Sequence, residues 1–237
     1  MLEACPAPGH VAHFGMLAPW STGPPRHRPA GLVLAPGAGG ASDHPGLLAL
    51  EEAAVPLGIA VARIDFPYRL AGRRAPDRPA VLIDTVRHAA LALAAELGVP
   101  GDAIALGGRS MGGRISSMAV AAGLPAAALV LISYPLHPPG RPDRLRSEHF
   151  PQLLLPCLFV SGDRDAFATP AELAAAVGAI PGPVTHEVLP GGDHGLRRRE
   201  TAAAERVAAW LGAFGPPYFG VGADPRLRDR STGAVDP

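Results

Sequence analysis

The chain has 237 residues, 48% hydrophobic and only 18% charged, which is enough apolar material for one large domain around a buried core. Its 21 basic and 21 acidic residues cancel, removing any overall electrostatic drive toward nucleic acid or anionic membranes. The sequence contains no lysine, and this excludes a Schiff-base lysine, a Ser–Lys dyad and a phosphate-loop lysine.

Residues 1–30 form a proline-punctuated N-terminal extension in which VAHFGMLAPW suggests edge strands. From Gly31 the pattern becomes regular. GLVLAP predicts a strand, followed by the glycine-rich loop PGAGGASDHPG, with Ser42, Asp43 and Pro45 as helix-start residues. LLALEEAAVPLG predicts a helix and IAVARIDF a strand. The arginine- and proline-rich FPYRLAGRRAPDRP reads as a loop, and a helical period runs from about Val81 to Leu97. AIALGG (strand), GRISSMAVAAG (helix) and AALVLIS (strand) follow. Then come a proline-rich stretch, LPCLFVSG (strand), PAELAAAVGAI (helix), VTHEVLP (strand) and ETAAAERVAAWLGAF (helix). Continuous apolar strands alternating with crossover helices predict a mostly parallel, doubly wound α/β sheet over residues 31–214. Residues 215–237, rich in proline and glycine, read as a flexible tail.

One stretch carries most of the chemistry. Gly108-Arg109-Ser110-Met111-Gly112 fits G-x-S-x-G between a predicted strand and a predicted helix. A strand-to-helix turn there strains the serine and exposes its hydroxyl, and the glycines make room for it. Phosphate-binding patterns are absent from this stretch. A serine hydroxyl needs a base, and the base needs an orienting acid. Downstream, SGDRDAFA places Asp163 and Asp165 after one strand, and LPGGDHGL places His194 after the next. All three loops fall at the C-terminal ends of strands, where sites of open α/β sheets collect. Asp165, further past its strand than Asp163, is the better candidate for the acid. The oxyanion of an acyl-transfer intermediate needs two backbone donors, and the candidates are the N–H groups of Met111 and of Ala38 in the first glycine-rich loop.

Together these residues resemble the α/β-hydrolase superfamily. Within it, GGRSMGGR, the FPYRLAGRRAPDRP loop, YPLHPPG and SGDRDAFA are similar to a branch near dienelactone hydrolases. That branch includes a testis-expressed eukaryotic family and a subunit of a histone acetyltransferase complex. The resemblance implies a serine hydrolase acting on a small ester, thioester or similar acyl substrate, with Ser110, His194 and Asp165 as its triad and no metal or organic cofactor. Its rival is a binding or scaffold protein that keeps the fold with weak turnover. Two departures matter. Pro36-Gly37 stands where many relatives have His-Gly, and Ser110 replaces the cysteine of dienelactone hydrolases, so dienelactone specificity does not carry over.

Arg73, Arg74, Arg109 and Tyr68 are candidate substrate contacts, with Asp65 or Tyr68 the expected partner of a half-buried Arg109. Residues 134–155 leave room only for a minimal lid. Cys157, in an apolar run, reads as an inert thiol. No segment has the pattern of a signal peptide or a membrane span, so a cytoplasmic protein with a small-molecule partner is expected.

Overall fold

The structure, a computed structural model, describes residues 27–218. Six strands form one all-parallel sheet in the order β2-β1-β3-β4-β5-β6: β1 Gly31–Ala35, β2 Ala60–Arg63, β3 Ile104–Arg109, β4 Leu129–Ile132, β5 Cys157–Gly162 and β6 Val184–Leu189. The helices are α1 Pro45–Ala54, α2 Pro67–Leu70, α3 Pro79–Leu97, α4 Met111–Ala121, α5 Pro170–Val177 and α6 Glu200–Gly212.

Alternation along each strand feeds two separate cores. Val33, Ile104, Leu106, Leu129, Leu131 and Phe159 face one layer, packed by α3, α4 and α5. Leu32, Leu34, Ala105, Val130, Leu158 and Val160 face the other, packed by α1 and α6. The central strands are therefore buried on both sides. The outer strands β2 and β6 are only half-buried, which is why VTHEVL carries three consecutive polar residues instead of running apolar.

The chain winds outward from β1 to β2 through α1 on one face. It then returns across the sheet through α3 on the other face to β3. Reversing direction on the opposite face keeps both crossovers right-handed. It also leaves a topological switch between β1 and β3, above whose C-terminal ends α/β sheets bind ligands.

Several local expectations are refined. The arginine-rich loop holds a short helix, α2, started by Pro67 with its preset φ. The helix α1 is capped by His44, whose Nδ1 accepts from the Gly46 N–H at 3.0 Å, and not by Ser42 or Asp43. Ser42 is committed elsewhere, giving both its N–H and its hydroxyl to Asp65. Between β4 and β5 only a single 3₁₀ turn forms, Phe150–Gln152. Tyr134, Leu136, Phe150 and Leu153 fasten that segment onto the core, so the lid is minimal. The Cys157 thiol is buried and pushed up to about 12 by desolvation. The expected N-terminal edge strands at 1–26 and the tail beyond 218 lie outside the described residues. The described ends meet, with the Arg28 N–H donating to the Pro216 carbonyl at 2.9 Å.

His149, beside that 3₁₀ turn, hydrogen-bonds Ser117 at 2.8 Å, and burial lowers its pKa from 6.5 to about 4. Arg114 lowers it further and Glu148 opposes. A group whose folded pKa is depressed favours the fold only while neutral, so this contribution is complete above about 6.5 and is lost as pH falls toward 4. Urea midpoints should therefore drop between pH 7 and pH 5, and His149→Gln should shrink that drop. An identical drop in the variant would contradict the assignment.

Candidate active site

The site is built where backbone meets backbone. β3 and the start of α4 pack so closely on β1 that a Cβ at Gly108 or at Gly112 would stand 2.1 Å from the Ala35 carbonyl oxygen. At Gly107 a Cβ would stand 2.3 Å from the Val130 oxygen on the other side. Only glycine fits these positions, and the chain is thereby forced into a sharp turn at Ser110. Ser110 has φ 51° and ψ −117°, a strained backbone for a non-glycine residue. Its N–H is anchored to the Ile132 carbonyl at 2.8 Å. Ser110 is the N-cap residue of α4 yet makes no side-chain cap bond, so its hydroxyl is free for other partners.

That partner is His194. Ser110 Oγ lies 2.8 Å from His194 Nε2, and His194 Nδ1 lies 2.8 and 2.9 Å from the two Asp165 oxygens. An ionised carboxylate only accepts, so Nδ1 carries the proton. Nε2 is then the bare nitrogen that accepts from the Ser110 hydroxyl. Asp165 is 3% exposed, whereas the imidazole keeps 19% of its side-chain surface open. The structure thus brings Ser110, His194 and Asp165 into one hydrogen-bonded chain. Asp163 is exposed and stays outside it.

The loops bearing the acid and the histidine are fastened to each other. A Cβ at Gly162 would lie 2.1 Å from the Gly192 oxygen, and the Arg164 N–H donates to that same oxygen at 2.8 Å. Phe167, which sequence reasoning passes over, holds both partners. Its ring stacks on His194 at 3.9 Å, and its N–H donates to Asp165 Oδ1 at 2.8 Å. Its place two residues after Asp165 is the only hint the sequence contains.

Across the β1–β3 switch, Ala38 is exposed in the loop after β1 and Met111 is the first residue of α4. The N–H groups of both make no hydrogen bond among the described residues. Tyr68 is fully buried, and its hydroxyl accepts from the Gly39 N–H at 3.1 Å, bracing that loop from beneath. Arg109 partners neither Asp65, which Ser42 occupies, nor Tyr68, which Gly39 occupies. Its Nη2 donates to the His194 carbonyl at 3.0 Å. Burial lowers its pKa, with Asp165 and Asp193 opposing. Arg73 is ion-paired with Asp77 at 2.7 Å on the surface, and Arg74 is exposed.

An all-parallel sheet with a glycine-cleared serine turn at its switch point defines an α/β-hydrolase fold. The chain belongs to a family described as an alpha/beta hydrolase domain, which it matches over residues 28–213. Solved structures agree in fold. An α/β serine hydrolase homologue from Coxiella burnetii is 20% identical with a TM-score of 0.65, covering 78% of this chain and 88% of its own. A dienelactone hydrolase from Anabaena variabilis is 20% identical at 0.64, covering 81% and 89%. A lidless α/β serine hydrolase from Xanthomonas campestris is 21% identical at 0.60, covering 80% and 85%. No curated protein sequence matches the chain. No helix among the described residues is long and apolar enough to cross a membrane.

The Arg109–His194 contact generates a test. A charge-assisted hydrogen bond contributes about 1.5 to 3 kcal/mol. Arg109→Met should therefore speed amide hydrogen exchange in residues 192–196 by roughly tenfold or more, while exchange in β3 stays slow. Unchanged exchange in that loop would mean the bond does not hold it.

Proposed function

We propose that the protein is a serine hydrolase of small ester, thioester or similar acyl substrates, acting in the cytoplasm without a metal or organic cofactor. The single observation that carries this reading is the Ser110–His194–Asp165 hydrogen-bonded chain standing on a strained turn. Ser110 Oγ attacks the substrate carbonyl carbon as its proton passes to His194 Nε2. Asp165 holds the ring and stabilises the imidazolium. The unspent N–H groups of Ala38 and Met111 donate to the developing oxyanion, aided by the positive end of α4. Collapse of the tetrahedral intermediate expels the leaving group, which takes the proton from His194 and leaves an acyl-serine. Water then attacks that acyl-serine, giving its proton to the same nitrogen. The acid departs and Ser110 recovers its hydrogen.

The short segment between β4 and β5 supports an open site for small substrates, in keeping with a solved relative titled as lacking a lid. The motif run GGRSMGGR, YPLHPPG and SGDRDAFA further supports placement in the branch near dienelactone hydrolases that includes the testis-expressed family and the histone acetyltransferase complex subunit. A serine, not a cysteine, at the turn argues for esters without dienelactone specificity.

A fluorophosphonate probe should label the native protein at Ser110 and leave Ser110→Ala unlabelled. On 4-nitrophenyl acetate, Asp165→Asn should lower kcat by roughly 10⁴-fold by stabilising the wrong imidazole tautomer. Asp163→Asn should stay within a few-fold of native. Absence of labelling in the native protein would favour a scaffold over an enzyme.

A further inference from the structure

Arg114 is one turn into α4 from the serine, its N–H donating to the Ser110 carbonyl at 3.1 Å. Helical side chains lean toward the helix N-terminus, which for Arg114 is the end of α4 that carries Ser110. Arg114 is half-buried, yet its side chain makes no ion pair or hydrogen bond among the described residues, and its Nε is fully enclosed without a partner. Three other half-buried arginines are spent on the protein, Arg63 on Glu51, Arg28 on the Leu57 carbonyl and Arg109 on the His194 carbonyl, while Arg69 on α2 is, like Arg114, unspent among the described residues. An enclosed N–H on a cation is unfavourable unless an acceptor is supplied to it.

A second cation stands beside it. Arg146, on the segment between β4 and β5, feels the charge of Arg114, and both lie near the Tyr134 hydroxyl. Arg146 reaches only the Pro135 carbonyl, at a long 3.4 Å. Glu148 also faces the group but forms no ion pair with either arginine, so positive charge remains in excess. The Tyr134 hydroxyl gives its proton to the Arg146 carbonyl at 2.6 Å.

We propose that Arg114 and Arg146 form an anion subsite beside Ser110, and that the substrate is an ester carrying a free carboxylate. The fork of a guanidinium matches a planar carboxylate with two parallel hydrogen bonds. Two such forks, one on the nucleophile's own helix and one on the facing segment, would fix the distance between the carboxylate and the scissile carbonyl. This rests on the serine-hydrolase reading above. It moves anion recognition away from Arg73, whose charge Asp77 already satisfies.

The test compares two esters of matched length, 4-nitrophenyl hexanoate and mono-4-nitrophenyl adipate, which differ by a methyl group against a carboxylate. The native protein should prefer the adipate ester in kcat/KM. Arg114→Gln and Arg146→Gln should each lower the adipate-to-hexanoate ratio by about tenfold or more, mainly through KM. Arg114→Lys should restore part of it, and Arg73→Gln should leave the ratio alone. No native preference, equal losses on both esters, or an equal effect of Arg73→Gln would overturn the subsite. Failure of the native protein to take the fluorophosphonate probe would instead overturn the hydrolase reading itself. The Arg146 variant, altered in a surface segment, keeps the test open should Arg114→Gln not fold.

Discussion

The close approach of three backbone segments at the centre of the sheet is the constraint on which the site depends. Ala35 at the end of β1 presents its carbonyl oxygen to both Gly108 and Gly112, leaving no space for a side chain at either. The chain between them has only Arg109, Ser110 and Met111 with which to pass from strand to helix. A turn that short forces Ser110 to positive φ and aims its side chain outward. The strain is confined there because the Ile132 carbonyl and the first turn of α4 hold the backbone on both sides. The turn also places the positive end of α4 directly behind the serine.

A second close approach does for the partners what the first does for Ser110. The Gly162–Gly192 contact and the Arg164–Gly192 hydrogen bond lock the loops after β5 and β6 together. Asp165 and His194 are then fixed relative to one another by backbone, and Phe167 covers the ring. Arg109 completes the frame. It sits next to Ser110 in sequence yet grips the His194 carbonyl from 85 residues away, so the two halves of the constellation are tied through a side chain bonded to neither Ser110 Oγ nor His194 Nε2. Burial and the bond to the His194 carbonyl make Arg109 a brace between the two loops.

Much of this was legible in the chain because the relevant signals are local. Alternating strand and helix patterns, glycine spacing around Ser110, and the order of Asp165 and His194 after successive strands are all carried by short segments. Strand boundaries differed by up to three residues, the most at the end of IAVARIDF, and α2 was hidden because proline and arginine in Pro67–Leu70 look like loop material. What could not be read was pairing across long separations. Arg109 was expected to find Asp65 or Tyr68, both polar groups near in topology. Asp65 is taken by Ser42 and Tyr68 by Gly39, and a backbone carbonyl, which no composition or motif advertises, is the actual acceptor. The stacking of Phe167 on His194 was missed for the same reason, since it depends on where two loops meet. The capping of α1 by His44 is local, two residues from Gly46, and was missed because histidine is not a usual cap residue and Asp65 draws Ser42 away.

Hydrogen-bond length alone would not have selected the site either. Three serine–histidine contacts of 2.8 Å occur among the described residues: Ser110–His194, Ser117–His149 and Ser161–His186. Ser117 is buried, and its hydroxyl donates to the Arg114 carbonyl, so it can only accept from His149. Ser161 lies inside β5, 1% exposed. Burial depresses both His149 and His186, and no carboxylate meets either ring. Those two pairs therefore close polar groups into the core. In the first, a buried carboxylate fixes the tautomer, a strained backbone turns the hydroxyl outward, and two unspent N–H groups wait across the switch point. Those surroundings, and not the serine–histidine contact they share, separate the Ser110–His194 pair from two that merely satisfy one another.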